Sequence, residues 1–309
     1  MWLTRLLFAW WVRPGTTRSL QAGSQKRPYL IHFPKGYDPR TPTPMVLALH
    51  GATMNGPMMA WFSGLNTKAD EAGFIVVYPN GTGRHWSFTW NAGTCCGSAV
   101  QKNIDDVAFI NALLDDLIHG FNVDPQRIYA TGMSNGAMMA YRLAGELSNR
   151  IAAIAPVSGP MGTRTCQPNR PVPILHFHGT DDEFSPFNGG TGKKSLFRNA
   201  SYSVEHSIQT WVKLNGCNET PTTDVLSKNG DEMRVTRTTY EAAQNGADVV
   251  LVVIEGGGHT WPGKNSPARS LGKSALNISA NDLMWEFFQK HKLDNNETVE
   301  RSDDDGKTA

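Results

Sequence analysis

Apolar residues along the chain fall into two alternating patterns. Tyr29 to Phe33, Met45 to His50 and Phe74 to Tyr78 are short, partly β-branched runs bounded by Pro and Gly, which predicts strands. From Asn103 to His119 the residues Ile104, Val107, Ala108, Leu113, Leu114, Leu117 and Ile118 recur at three- and four-residue intervals, which predicts an amphipathic helix. Further helices are predicted over Pro57 to Ala72, Ser134 to Leu147, Val204 to Leu214 and Ala280 to His291. Strands are predicted over Arg127 to Thr131, Ile151 to Val157, Pro173 to Phe177, Met233 to Tyr240 and Val249 to Ile254. Strand and helix alternate, which implies βαβ units: an α/β fold whose mostly parallel sheet is covered by helices on both faces. Such a sheet carries its active site at the carboxyl ends of its strands.

Asp182 to Ala200 has no period and reads as an excursion over that site. No linker splits the chain, so a single catalytic domain is expected over residues 24–293, after a leader or flexible stretch 1–23 and before a disordered polar tail 294–309. In the leader, Arg5 precedes the apolar run Leu6 to Val12, loosely like a secretion signal but without a clear cleavage site. A secreted or periplasmic location is the first expectation and a cytoplasmic one the alternative. No apolar run approaches the roughly 18 residues of a membrane-spanning helix, so no membrane partner is expected.

The 309 residues are 39% hydrophobic and 18% charged, as in a globular chain. Their 29 Lys and Arg nearly balance 28 Asp and Glu, which leaves no basic footprint for nucleic acid. The four cysteines, Cys95, Cys96, Cys166 and Cys217, lack the spacing of a zinc site, and no metal is expected.

The strongest chemical signal is Gly132-Met133-Ser134-Asn135-Gly136, set between a strand and a helix. A serine on such a turn is forced into a strained conformation, with glycines where neighbouring backbone comes close, and its hydroxyl stands at a helix N-terminus. Ser134 is therefore the candidate nucleophile. A serine needs a base, and the base an orienting carboxylate, in the chain order Ser, acid, His. The order excludes His32, His50, His85 and His119; His176 and His178 lie at the strand that should supply the acid, His206 in a predicted helix and His291 at the C-terminal fringe, which leaves His259, carried by the bend Glu255-Gly256-Gly257-Gly258. For the acid, the strand ending at Phe177 is followed by His178-Gly179-Thr180-Asp181-Asp182. Both aspartates qualify by position; Asp182 is preferred, with Glu183 third. The oxyanion hole is expected from the backbone N–H groups of Asn135 and of Ala52, the latter in the turn after His50.

These motifs coincide with Leu49-His50-Gly51, Tyr78-Pro79-Asn80-Gly81, Trp90-Asn91, Cys95-Cys96-Gly97, Asp105-Asp106-Val107 and Gly256-Gly257-Gly258-His259-Thr260-Trp261-Pro262-Gly263. Together they resemble the polyhydroxybutyrate depolymerase and feruloyl esterase group of α/β-hydrolases, carbohydrate esterase family 1 in the broad sense, from about Arg27 to Lys290. The resemblance implies Ser134, Asp182 and His259 as the triad, an ester substrate and no cofactor. It implies a serine esterase acting on polyhydroxybutyrate-type oligoesters or short-chain esters, with a feruloyl or acetyl xylan esterase as the alternative. Trp261 is similar to the family's aromatic wall for the substrate, and Trp90 and Trp86 are weaker candidates for the same rim. Similar proteins pair a cysteine placed like Cys217 with one near the penultimate strand, where this chain has Ala242-Ala243. Cys217 is thus expected to be unpaired, and Cys166 to bridge to Cys95 or Cys96, since adjacent cysteines seldom pair with each other.

Overall fold

The computed structural model describes residues 15–23, 25–84 and 87–294. Its main sheet has ten strands: β1 (Thr16–Ala22), β2 (Gln25–His32), β3 (Thr43–Leu49), β4 (Ile75–Pro79), β7 (Val123–Met133), β8 (Ala153–Val157), β9 (Ile174–Gly179), β10 (Thr222–Val225), β11 (Val235–Tyr240) and β12 (Val249–Ile254). Their spatial order is β1-β2-β4-β3-β7-β8-β9-β12-β11-β10. The six central strands from β4 to β12 run parallel, and two antiparallel strands border them on each side. From β3 the chain steps outward to β4 and then returns past β3 to β7, so the strand order reverses between β3 and β7. Ligands bind outside the carboxyl ends of the strands at such a reversal.

Side chains alternate across this sheet with period two. Met45, Leu47 and Leu49 of β3 enter one core, which α4 (Asp106–Phe121), α5 (Asn135–Glu146) and α6 (Val204–Leu214) cover; Val46 and Ala48 enter the other. That second core is closed by α1 (Gly56–Ser63), α2 (Leu65–Ala72) and α7 (Ala280–Phe288). Hydrophobic cores on both faces explain why the central strands are continuously apolar rather than alternating. A short helix α3 (Gly97–Gln101) and a hairpin of β5 (Thr82–Arg84) with β6 (Ser87–Thr89) lie outside this frame.

Three local departures from the sequence reading have physical causes. The helix expected over Pro57 to Ala72 is two helices, because Gly64 adopts φ 62° and ends α1 with its N–H on Ala60 O. The sheet begins at Thr16, inside the stretch 1–23 read as a leader, where β1 pairs antiparallel with β2; residues 1–14 of that stretch lie outside the described residues, as do 295–309 of the polar tail. The added strand β10 is exposed at every position and so carries no hydrophobic signal. Among the described residues no helix is long and apolar enough to cross a membrane.

A candidate active site at the strand-order reversal

β7 runs directly into Ser134, which takes φ 57° and ψ −119°, a combination that costs a non-glycine residue energy and persists only where the surroundings impose it. The surroundings are crowded backbone. A Cβ at Gly132 would stand 2.5 Å from the carbonyl carbon of Gly136 and 2.8 Å from Leu49 O, and one at Gly136 would stand 2.6 Å from His50 O. A Cβ at Gly159 would collide with Ser134 O. Ser134 N–H donates to Val157 O at 2.9 Å, and the hydroxyl makes no capping bond to α5. Asn135 is the first residue of α5, so its N–H has no intrahelical acceptor.

The turn after β3 lies against this elbow. A Cβ on Gly51 would be 3.6 Å from Ser134 Cβ, and the Ala52 N–H donates to no group among the described residues. His50 sets the turn. Its Nε2 accepts from Gly81 N–H at 2.9 Å, so the neutral ring carries its proton on Nδ1 and donates to Gly51 O at 2.8 Å. Complete burial lowers its pKa to about 4, with Arg27 adding to the effect and the Gly51 bond opposing it. Trp90 completes the support: its indole N–H donates to His50 O at 3.0 Å, and the Asn135 side chain accepts from Trp90 N–H at 2.7 Å and donates to Trp90 O at 3.1 Å.

Beyond β9, Asp182 is buried at 3% exposure, whereas its neighbour Asp181 is exposed and Glu183 is paired with Lys194. Asp182 Oδ1 accepts the N–H groups of Phe184 and Ser185, both at 2.9 Å, and Oδ2 accepts from His259 Nδ1 at 2.7 Å. Burial alone would raise this carboxyl, but the charge and hydrogen bond of His259, helped by His178 and the Ser185 N–H, hold it below its ordinary value. With Nδ1 donating to Asp182, His259 Nε2 is left as an acceptor. The backbone N–H of His259 donates to Leu271 O at 2.7 Å, and the imidazole stacks against the ring of Phe184, whose centroid lies 5.0 Å away. A Cβ at Gly258 would strike Leu271 O, so the glycine-rich bend is a matter of clearance.

Ser134 and His259 border one cavity of about 300 Å³, with Ala52 on the same lining. Its walls are chiefly apolar: Met58, Trp61 and Phe62 from α1, Met133 and Met138 beside the elbow, and Phe184, Leu196 and Phe197 from the excursion after β9. Among the described residues no group of three His, Cys, Asp or Glu is placed to hold a metal ion.

The two expected wall tryptophans are elsewhere. Trp261 is 1% exposed, is not on the cavity lining, and its indole N–H donates to Asn281 Oδ1 at 2.9 Å, so it packs inward against α7. Trp90 is fully buried and supports the turn after β3 as described; Trp86 lies outside the described residues. Trp61, which the sequence reading passed over, is the lining tryptophan among the described residues, 39% exposed at the mouth beside Met58. Its signal was the spacing of Met58 and Trp61, three apart on a helix whose other face is buried. The expected bridge from Cys166 is not formed: Cys95 and Cys96 pair with each other on the cavity lining, while Cys166 is free and packs beside Gly145 on α5. Cys217 is free, its thiol donating to Ala247 O at 3.1 Å.

Comparison with known proteins accords with this geometry. A family model described as "Esterase PHB depolymerase" matches residues 28–165. The protein named "Putative esterase NocK" of Nocardia uniformis subsp. tsuyamanensis is 30% identical over 298 residues, covering 88% of this chain and 82% of that one. Feruloyl esterase B of Piromyces equi is 32% identical over 245 residues, which are 75% of this chain but 42% of that longer protein. Among solved structures, an acetyl xylan esterase from Aspergillus awamori superposes with a TM-score of 0.59 at 17% identity, covering 89% of this chain and 99% of that one, a likeness of fold. The chain thus belongs to the polyhydroxybutyrate depolymerase and feruloyl esterase group of α/β-hydrolases and is a carboxylic-ester hydrolase.

Proposed function

We propose that Ser134, His259 and Asp182 form the catalytic triad of this esterase, with the N–H groups of Ala52 and Asn135 as its oxyanion hole. The observation that carries the reading is the Asp182–His259 hydrogen bond at 2.7 Å, on the cavity that Ser134 also borders. Ser134 Oγ attacks the ester carbonyl carbon while its proton passes to His259 Nε2; the resulting imidazolium is stabilised by the buried Asp182 carboxylate. The oxyanion lies between the two N–H groups, each donor worth roughly 3 kcal/mol in such sites. Collapse breaks the bond to the alcohol, which leaves with the proton from His259. Water then enters, loses a proton to the same nitrogen and releases the acid, restoring Ser134.

The walls favour an apolar acyl or alkoxy group of modest size, since Met58, Trp61, Phe184 and Leu196 offer surface and no charge. Hydroxybutyrate-type oligoesters and short-chain esters fit that description. Feruloyl esters are the second reading, favoured by the aromatic ring of Trp61 at the mouth and by relatives named feruloyl esterases. Export accompanies either reading, resting on Arg5 and the apolar run Leu6 to Val12, and N-terminal sequencing of protein recovered outside the cell tests it. Rates on hydroxybutyrate dimer and trimer, p-nitrophenyl esters of rising chain length and methyl ferulate, each against Ser134→Ala, test the function. Hydrolysis surviving in Ser134→Ala would overturn the triad, and a kcat/KM highest on methyl ferulate would select the second reading.

A further inference from the structure

Behind the candidate triad lies a chain of buried polar groups that the reaction itself does not use. His176 and His178, two apart on β9, are 0% and 1% exposed and stack with centroids 5.3 Å apart. His178 Nε2 lies 2.8 Å from Ser185 O. A carbonyl only accepts, so that nitrogen carries the proton and, in a neutral ring, Nδ1 is an acceptor. His176 Nε2 lies 3.0 Å from that Nδ1 and must therefore donate, which leaves His176 Nδ1 to accept from the Tyr141 hydroxyl of α5, also at 3.0 Å. One assignment satisfies every member: Tyr141 to His176, His176 to His178, His178 to Ser185. The far end closes on the acid, because Ser185 N–H donates to Asp182 Oδ1 at 2.9 Å and His178 Nε2 is 3.5 Å from Asp182 Oδ2.

We propose that Tyr141, His176 and His178 are positioning residues for the reaction: a one-directional hydrogen-bond chain that keeps His178 neutral, with its proton toward the 182–185 turn, so that Asp182 Oδ2 is left to His259. The inference rests on the triad reading above. The titratable or charged groups that face the two imidazoles are Tyr141 from α5, Asp182 from the turn after β9 and His259 from the loop after β12. Burial disfavours the charged form of both rings, and for His178 the charge of Asp182 and the Ser185 bond oppose it. Removing the His176 donor would expose the Nδ1 lone pair of His178 beside an anionic carboxylate 3.5 Å from its other nitrogen. The ring would then accept a proton and become a cation competing with His259 for Asp182.

The experiment compares His176→Leu, which deletes the donor, with His176→Gln, whose amide can still donate to His178, on p-nitrophenyl butyrate from pH 4.5 to 8. His176→Leu should lose about tenfold or more in kcat with KM within about twofold, a loss in the range expected when a catalytic group is slightly misplaced. Its acid limb of log(kcat/KM) should steepen from a slope of about one toward about two as the second imidazole titrates. His176→Gln should keep kcat within about threefold and a single-proton limb. Should His176→Leu fail to fold, His176→Phe, which keeps a flat ring and likewise removes the donor to His178, should still steepen the limb. Equal losses in the Leu and Gln variants, or a single-proton limb in a folded Leu or Phe variant of His176, overturn the inference. Failure of the triad reading shows separately, as activity surviving in Ser134→Ala.

Discussion

Replacing Asp182 by Asn keeps the shape of the side chain and removes its charge. The amide oxygen can still accept from Phe184 and Ser185, as Asp182 Oδ1 does now at 2.9 Å, so the turn keeps its form. The amide nitrogen then faces His259 Nδ1 across the present 2.7 Å contact. Being a donor, it selects the tautomer with the proton on Nε2, which cannot take a proton from Ser134. In a serine protease the equivalent change lowers kcat about 10⁴-fold, and the same loss, about 5.5 kcal/mol at the barrier, is expected here. KM should stay within about threefold, since the cavity walls are untouched. The assay is steady-state hydrolysis of p-nitrophenyl butyrate at pH 7.5, with Asp181→Asn as the control because Asp181 is exposed and its carboxylate accepts from the neighbouring Thr180 hydroxyl at 3.2 Å. More than a tenth of wild-type kcat in Asp182→Asn, or an equal loss in Asp181→Asn, would refute the reasoning. A second readout is stability in acid. The folded-state pKa of Asp182 lies below its ordinary 3.8, so this group stabilises the fold above that value and the contribution fades as pH falls toward the folded pKa. Asp182→Asn should flatten that part of the stability curve.

Trp61→Ala should raise KM for p-nitrophenyl hexanoate or methyl ferulate about five- to thirtyfold, a loss of about 1–2 kcal/mol of apolar contact, while hardly changing the acetate ester; steady-state kinetics across chain length checks it. His50 has a folded-state pKa of about 4 against 6.5 unfolded, so the unfolded chain binds more protons between these values and stability falls as pH drops through them, by about 3 kcal/mol for this group. Urea midpoints from pH 7 to 4 should show that slope and lose one proton's share of it in His50→Asn. Arg27→Met leaves Asp106, which is fully buried and lies 2.7 Å from the guanidinium, without its cation, and should cost about 3–5 kcal/mol by chemical denaturation.

The parts of the fold legible in the sequence were those where packing writes a pattern. The central strands read as apolar runs because both faces are buried, and α4 announced itself by its period. β1 and β10 were illegible for the opposite reason: they are edge strands almost wholly exposed, specified by pairing with a neighbour rather than by their own side chains. In the site, the elbow glycines, the contact of Asp182 with His259 and the bend before His259 could be anticipated because each answers a local steric or positional demand. The aromatic wall could not. Burial draws tryptophans equally to a core and to a cavity, and Trp261, next but one to His259, turns its indole to Asn281 and the core. The cysteine pairing also escaped, since spacing along the chain carries no record of where Cys166 lies relative to Cys95.

The central claim is that Ser134 becomes acylated because His259 and Asp182 activate it. Mass spectrometry of the folded protein after reaction with a fluorophosphonate, followed by peptide mapping, tests this directly. The account predicts a single adduct on Ser134, formed at least a thousandfold more slowly in Asp182→Asn and in His259→Ala. An adduct on another residue, or labelling of Ser134 at an unchanged rate in those variants, would contradict it.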